Sequence, residues 1–196
     1  MRRVAGFCLG LLLAALSLPA AAADTLAPFP VAFGGPFMLT DHTGTARTDA
    51  DYRGRYLLVY FGYTFCPDIC PTSLQTMIQA LDDLGAQGDE VQPLFVSVDP
   101  ARDTPAALAD YVAAFHPRLV GLTGSEAQVR AAAKAYRVHR RKVPTHDDEA
   151  AEDYLVDHGS LTYLMGPDGR FVTLFPFMTT PERMTQVLRK YLGAEG

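Results

Sequence analysis

Apolar residues follow two different periods along this chain, and the way the periods alternate predicts its elements. Residues 57–61 (Leu-Leu-Val-Tyr-Phe) and 94–98 (Leu-Phe-Val-Ser-Val) are short, nearly unbroken apolar runs, as expected of strands buried on both faces. Leu74, Met77, Ile78 and Leu81 recur at helical spacing and the pattern stops at Gly85. Leu108, Tyr111, Val112 and Phe115 repeat that spacing after Thr104-Pro105, which reads as an N-cap and a first helical position. Ser125 with Gln128 resembles a capping box that opens a third helix running through Tyr136. Residues 161–165, the turn Gly166-Pro-Asp-Gly169 and residues 171–175 predict a hairpin. Thr180-Pro181 then opens a last helix with Met184, Val187, Leu188, Tyr191 and Leu192 inward and Gly193 at its end.

Two segments have no such clear period. Residues 33–39 read as a short strand ahead of the turn Asp41-His-Thr-Gly44. Residues 139–153 carry Arg140-Arg141-Lys142 and then Asp147-Asp148-Glu149, and read as an exposed polar loop. The order is therefore β-α-β-α, a further helix, a hairpin and a final helix. It predicts an α/β domain with a central mixed sheet flanked by helices. A β-α-β half followed by β-β-α is the thioredoxin-like arrangement, here with an N-terminal strand extension and a polar loop insertion before the final hairpin.

The N-terminus has a different character. Met1-Arg2-Arg3, an apolar stretch from Val4 to Leu18 and the small residues Ala21-Ala22-Ala23 have the layout of a secretory signal over residues 1–23. An uncleaved membrane anchor is the competing reading, since about 20 apolar residues suffice to span a bilayer. Both place the domain outside the cytoplasm, in a periplasmic or equivalent compartment. Residues 24–32 are then a linker, and residues 33–193 the domain.

Charge and composition narrow the function classes. With 48% hydrophobic and 20% charged residues the chain is globular in composition. Removing Arg2 and Arg3 from 17 basic residues leaves 15 against 22 acidic ones, a net charge of −7. No clustered basic footprint points to nucleic acid. Of the 3 cysteines, Cys8 falls within the leader, so the domain carries Cys66 and Cys70 only. Two cysteines in an oxidising compartment usually pair. A loop this short staples little, because the entropic gain grows with the chain length enclosed. The pair therefore points to chemistry.

Cys66-Pro-Asp-Ile-Cys70-Pro71 follows directly on the first buried strand. Pro71 suits a first helical position, which predicts that residues 66–70 form the strand-to-helix loop, with Cys70 at a helix N-terminus where a thiolate is favoured. Three residues between the cysteines, against two in the thioredoxin redox motif, allow both sulfurs to face one metal. Two soft thiolates suit Cu(I) or zinc, and an imidazole would make a three-ligand set. A closed zinc site would want a fourth ligand. Among the histidines, His42 and His116 lie in a turn and at a helix end, and His139 and His146 in the charged loop. His158 stands at the start of the hairpin behind Asp157, which could orient its ring. Spacing alone does not choose between these histidines.

Three segments together carry a resemblance. They are Phe61-Gly-Tyr-Thr-Phe-Cys66-Pro-Asp-Ile-Cys70-Pro71, Ser97-Val-Asp-Pro-Ala-Arg-Asp-Thr-Pro105, and Asp157-His158 with Gly166-Pro-Asp-Gly169. In order and spacing they resemble the Sco (SenC) family over about residues 33–192. The resemblance implies a thioredoxin-like fold holding one copper ion, Cu(I) or Cu(II), through Cys66, Cys70 and His158. It implies a metallochaperone, a carrier more than a turnover enzyme, that assists the copper-site subunit of cytochrome c oxidase and exchanges with other periplasmic copper carriers. Asp99, Arg102 and Asp103 match the second segment and are expected to brace the loop near the site. Phe65 departs from the pattern, since family members often carry His before the first cysteine.

Two further functions compete. A thiol–disulfide oxidoreductase would use Cys66 and Cys70 as a redox pair acting on an oxidase subunit or a copper carrier. A peroxide-reducing site would use one activated thiol with Thr64 and Arg102; the close second thiol argues against it.

Overall fold

The computed structural model describes residues 33–145 and 154–193. The predicted leader over 1–23, the linker over 24–32, and His146 with Asp147-Asp148-Glu149 lie outside the described residues. The chain opens with a hairpin, β1 (Met38–Asp41) and β2 (Ala46–Thr48), turning where Gly44 takes a positive φ of 85°. The unit β3 (Tyr56–Gly62), α1 (Ile69–Leu84) and β4 (Val91–Ser97) follows. Next come α2 (Pro105–Ala113), β5 (Val120–Thr123) and α3 (Glu126–Ala135). The chain ends with β6 (Arg140–Pro144), β7 (Tyr154–His158), β8 (Thr162–Met165), β9 (Phe171–Phe175) and α4 (Pro181–Leu192).

Seven strands form one mixed sheet in the order β2-β1-β5-β4-β3-β8-β9. The β3, β4 and β5 strands are parallel, and the pairs at either side of them are antiparallel. Every residue of β3 and of β4 is buried, which explains their unbroken apolar runs. The predicted caps are present: Thr104, Ser125 and Thr180 accept from the amides of Ala107, Gln128 and Arg183, and Gly85 ends α1 in a positive-φ conformation. Helix α1 packs against α4, and α2 against β5, where Gly121 lets Leu108 and Val112 approach the strand.

Several elements differ from expectation. The first strand lies at Met38–Asp41, later than residues 33–39, and β5 is a short strand that the sequence pattern does not reveal. More consequentially, the segment 139–153 read as an exposed polar loop contains strand β6, which forms a two-stranded antiparallel ribbon with β7 just beyond it, paired from Arg140↔His158 to Pro144↔Tyr154. Its alternation is hidden because β6 places Arg140 and Lys142 at the positions where an ordinary strand carries apolar side chains. Lys142 lies over the Tyr154 ring, and Arg140 donates to Val98 O and pairs with Glu126.

This topology brings three segments to one end of the sheet. Parallel pairing of Gly62 with Ser97 puts the loops after β3 and β4 side by side, and the Val98 amide donates to Gly62 O at 2.8 Å. Antiparallel pairing of β8 with β3 begins at Thr162↔Tyr60, so the residues just before Thr162 run past the C-terminal end of β3. His158 is among them.

Candidate metal centre

The loop after β3 is short and tightly bonded. The Cys66 amide donates to Tyr63 O at 3.2 Å, and α1 begins at Ile69. Cys70 is therefore already inside the first helical turn, with Pro71 one position further, not at the helix entrance as the motif suggests. Proline is tolerated there because the first-turn amides have no intrahelical acceptor to lose. The shift changes which sulfur the helix serves. The Cys70 amide donates to Cys66 Sγ at 3.4 Å, so an N-terminal amide of α1 holds Cys66, not Cys70.

Cys66, Cys70 and His158 are all buried, and both cysteines are free thiols. Cys70 Sγ is 3.4 Å from His158 Nε2. The two sulfurs and an imidazole nitrogen all lie within 4.8 Å of one another. Among the described residues this is the one such grouping of three or more His, Cys, Asp or Glu ligand atoms. The structure thus brings together the three residues that the family resemblance implies.

Protons are divided unevenly over the trio. His158 Nδ1 faces the Gly159 carbonyl at 2.9 Å. A carbonyl only accepts, so Nδ1 carries the hydrogen and Nε2 turns its lone pair to the sulfurs. Hydrogen bonds from the Cys70 side chain and from the Asp68 and Cys70 amides hold the Cys66 thiol far below its ordinary value despite burial. The same bond to Cys66, with burial added, pushes Cys70 up. The two shifts run in opposite directions, favouring the charge on Cys66 and the proton on Cys70.

The walls are aromatic. Tyr60 and Tyr63 present their rings edge-on to His158 with centroids at 6.3 and 5.7 Å, and Tyr60 Oη lies 3.9 Å from Cys70 Sγ. The floor is Gly62: a β-carbon there would stand 2.7 Å from Cys70 Sγ and 2.8 Å from Phe95 Cε2. Sequence reading passed over Tyr60, Tyr63 and Gly62. A glycine closing an apolar strand beside a cysteine motif is a signal of close backbone approach that could have found the last of these.

The bracing cluster takes the expected place. Asp103 is fully buried and accepts from the Thr64 amide, from Thr64 Oγ1 at 2.6 Å and from Ser97 Oγ at 2.6 Å. Burial pushes its carboxyl upward, against the pull of these bonds. Asp99 takes Arg102 Nε and the Tyr154 hydroxyl. Thr64 Oγ1 and Arg102 Nε are thus each bonded to a carboxylate of this cluster.

Asp157 does not orient His158. On β7, Tyr154, Val156 and His158 face inward while Leu155 and Asp157 face out, and Asp157 pairs with His139 and Arg141. Strand alternation places neighbours on opposite faces, so the backbone carbonyl of Gly159 supplies the orienting contact instead. His42 Nδ1 accepts from the Gly121 amide and His116 Nδ1 from the Arg118 amide, which accounts for both as structural residues.

A family model of SCO1/SenC proteins matches residues 27–193. The chain belongs to the SCO1/SenC family. It is 51% identical over 144 residues to the human "Protein SCO1 homolog, mitochondrial", covering 72% of this chain and 47% of that protein. With the bovine "Protein SCO2 homolog, mitochondrial" it shares 45% over 162 residues, covering 82% of this chain and 60% of the relative. The chain thus spans about half to three fifths of the length of these curated relatives. Among solved structures, the copper-bound ScoI of Bradyrhizobium japonicum is 46% identical with a TM-score of 0.74, covering 81% of this chain and 99% of that one. These Sco relatives share the thioredoxin-like fold described above.

Proposed function

We propose that this chain is a copper-binding Sco chaperone that holds one copper ion through Cys66 Sγ, Cys70 Sγ and His158 Nε2. The observation that carries the reading is the buried cluster of two sulfurs and one bare imidazole nitrogen within 4.8 Å. Thiolates are soft donors that select Cu(I), and three ligands without a fourth are too few for a closed structural zinc site. Copper is the cargo here. The chain's part is to keep Cys66 ionised, to supply Cys70 after loss of one proton, and to keep His158 in the tautomer that donates through Nε2. The family's link to cytochrome c oxidase assembly makes the copper-site subunit of that oxidase the proposed recipient.

The test is copper stoichiometry and Cu(I) affinity of the reduced protein by competition with a chromophoric chelator. One copper per chain is expected, with His158→Ala weakening it far more than His139→Ala, an exposed histidine on the neighbouring side of the ribbon. Equal losses from the two substitutions would remove His158 from the ligand set.

A second reading is favoured by the unequal pair of free thiols. Cys66 thiolate can attack a partner's disulfide, and Cys70 then displaces the partner: two thiols here become a disulfide while the partner's disulfide becomes two thiols. That exchange removes both sulfur ligands, so the two functions are alternate states of one site. It predicts exchange that survives His158→Ala; exchange lost with that substitution would tie it to the metal ligand set.

We also propose action outside the cytoplasm, on the leader pattern of residues 1–23. No helix of the described residues is long and apolar enough to cross a membrane.

A further inference from the structure

Phe65 stands directly before Cys66 and is 60% exposed, unusual for a phenylalanine beside a buried site. Its ring has a partner. The Arg102 guanidinium lies 4.7 Å from the Phe65 centroid, 3.7 Å from that of Tyr154 and 5.7 Å from that of Tyr63. Lys142 Nζ lies 4.2 Å from the Tyr154 ring. Phe65, Arg102, Tyr154 and Lys142 therefore form an alternating ladder of aromatic and cation. Its rungs come from the β3–α1 loop, the β4–α2 loop, β7 and β6. It runs from the residue beside Cys66 to the strand that ends in His158.

The ladder matters because of how the ribbon is held. Strands β6 and β7 pair only with each other, outside the seven-stranded sheet. His158 is held opposite the cysteines by whatever anchors that ribbon. Arg140 ties its β6 side to Val98 O and Glu126. On the β7 side Tyr63 bonds the Val156 backbone, and the anchors at Tyr154 converge on Arg102, whose Nη1 donates to Tyr154 O at 3.0 Å while Asp99 takes both Arg102 Nε and the Tyr154 hydroxyl. Arg102 Nη2 is buried with no hydrogen-bond partner. Aromatic rings cover the guanidinium itself, Tyr154 at 3.7 Å and the more exposed Phe65 at 4.7 Å. A planar guanidinium already fixed by a carboxylate and a carbonyl loses little entropy on stacking.

We propose that Phe65 is a positioning residue: its ring closes the Arg102 ladder and so clamps the β6–β7 ribbon, holding His158 against Cys66 and Cys70. This rests on the copper reading only for its metal readout. One cation–π contact at a partly exposed site corresponds to about a 2- to 5-fold change in an equilibrium constant. The experiment compares Phe65→Ala, Phe65→Leu and Phe65→Tyr in the full chain, each with His158 and with His158→Ala. In reduced, metal-free protein, hydrogen exchange should quicken about 2- to 5-fold at the β6 and β7 amides in the Ala and Leu variants, stay unchanged at β3 and β4, and recover in Phe65→Tyr. Cu(I) competition should show a loss of the same size in Phe65→Ala that vanishes in the His158→Ala background.

Ribbon exchange unchanged in Phe65→Ala, or Phe65→Leu matching the parent, would overturn the proposal, since Leu keeps the apolar cover and removes the π face. A copper effect of equal size with and without His158 would also overturn it, because Phe65 would then act on the cysteines. A parent protein that binds no copper would refute the copper reading while the exchange data still decide the clamp.

Discussion

Replacing Gly62 by alanine tests the packing on which the whole cysteine arrangement depends. The added methyl would stand 2.7 Å from Cys70 Sγ, 2.8 Å from Phe95 Cε2 and 3.1 Å from Tyr60 Cε1. All three neighbours are completely buried, so no flexible side-chain end can swing into solvent to make room. Either the strand bends away or the sulfur moves by most of an ångström from His158 Nε2, now 3.4 Å away. Overpacking of this kind costs about 1–3 kcal/mol. For a domain of this size each kcal/mol lowers Tm by about 2–4 °C, which gives a fall of roughly 2–12 °C. The assay is thermal unfolding of reduced, metal-free protein together with Cu(I) competition. Gly193→Ala serves as the neutral control, since an added methyl there meets nothing within 4 Å. Val129→Ala, a truncation of a fully buried side chain on α3, serves as a destabilised control away from the site. The expected result is that Gly62→Ala alone loses both stability and copper affinity, whereas Val129→Ala loses stability only. A Gly62→Ala protein that melts and binds copper like the parent would refute the idea that close backbone approach sets the sulfur position.

The thiol pair predicts a pH profile and the bracing cluster a stability change. Cys66 is held below its ordinary value of 9.0 in the folded state, so between the two values the folded chain binds fewer protons than the unfolded one. Its contribution to stability is complete above 9.0 and is lost as pH falls through the depressed value. Alkylation followed residue by residue by mass spectrometry should therefore modify Cys66 first, at a rate nearly flat from about pH 6 to 8, with Cys70 lagging. A tenfold rise per pH unit, or Cys70 reacting first, would reverse the assignment. Thr64→Val removes the hydroxyl that donates to Asp103 at 2.6 Å and leaves a buried carboxylate short of a donor. It should cost about 1–3 kcal/mol in denaturant unfolding, and Thr64→Ser should restore most of it; equal losses from Val and Ser would show that the methyl, not the bond, matters.

Much of this arrangement was legible because the relevant signals are local. An unbroken apolar run, a cysteine pair with three residues between, and capping residues at Thr104, Ser125 and Thr180 each depend on a few neighbours, and each lies where the pattern places it. The fine position of the helix start was not legible. Proline at the first, second or third helical position is compatible with the same sequence, since none of those amides has an intrahelical acceptor. Yet that choice decides whether the Cys70 amide stands where it can donate to Cys66 Sγ, adding to the larger effect of the Cys70 side chain on that thiol.

His158 failed to stand out for a different reason. Its partner strand β6 is Arg-Arg-Lys-Val-Pro, whose inward positions are cations held by a tyrosine face and a carbonyl instead of by apolar burial. No hydrophobic period marks such a strand, so the ribbon looks like a loop. The register of that ribbon nonetheless decides the ligand: Arg140↔His158 and Arg141↔Asp157 put the imidazole inward and the carboxylate outward, and a slip of one residue would exchange them. Asp157 then has its own use on the outer face, where Arg141 directly opposite and His139 nearby pair with it, an arrangement the slipped register would break. Specificity for His158 is thus set on both faces of the ribbon at once, by charge pairing outside and by the Arg102–Tyr154 contact inside.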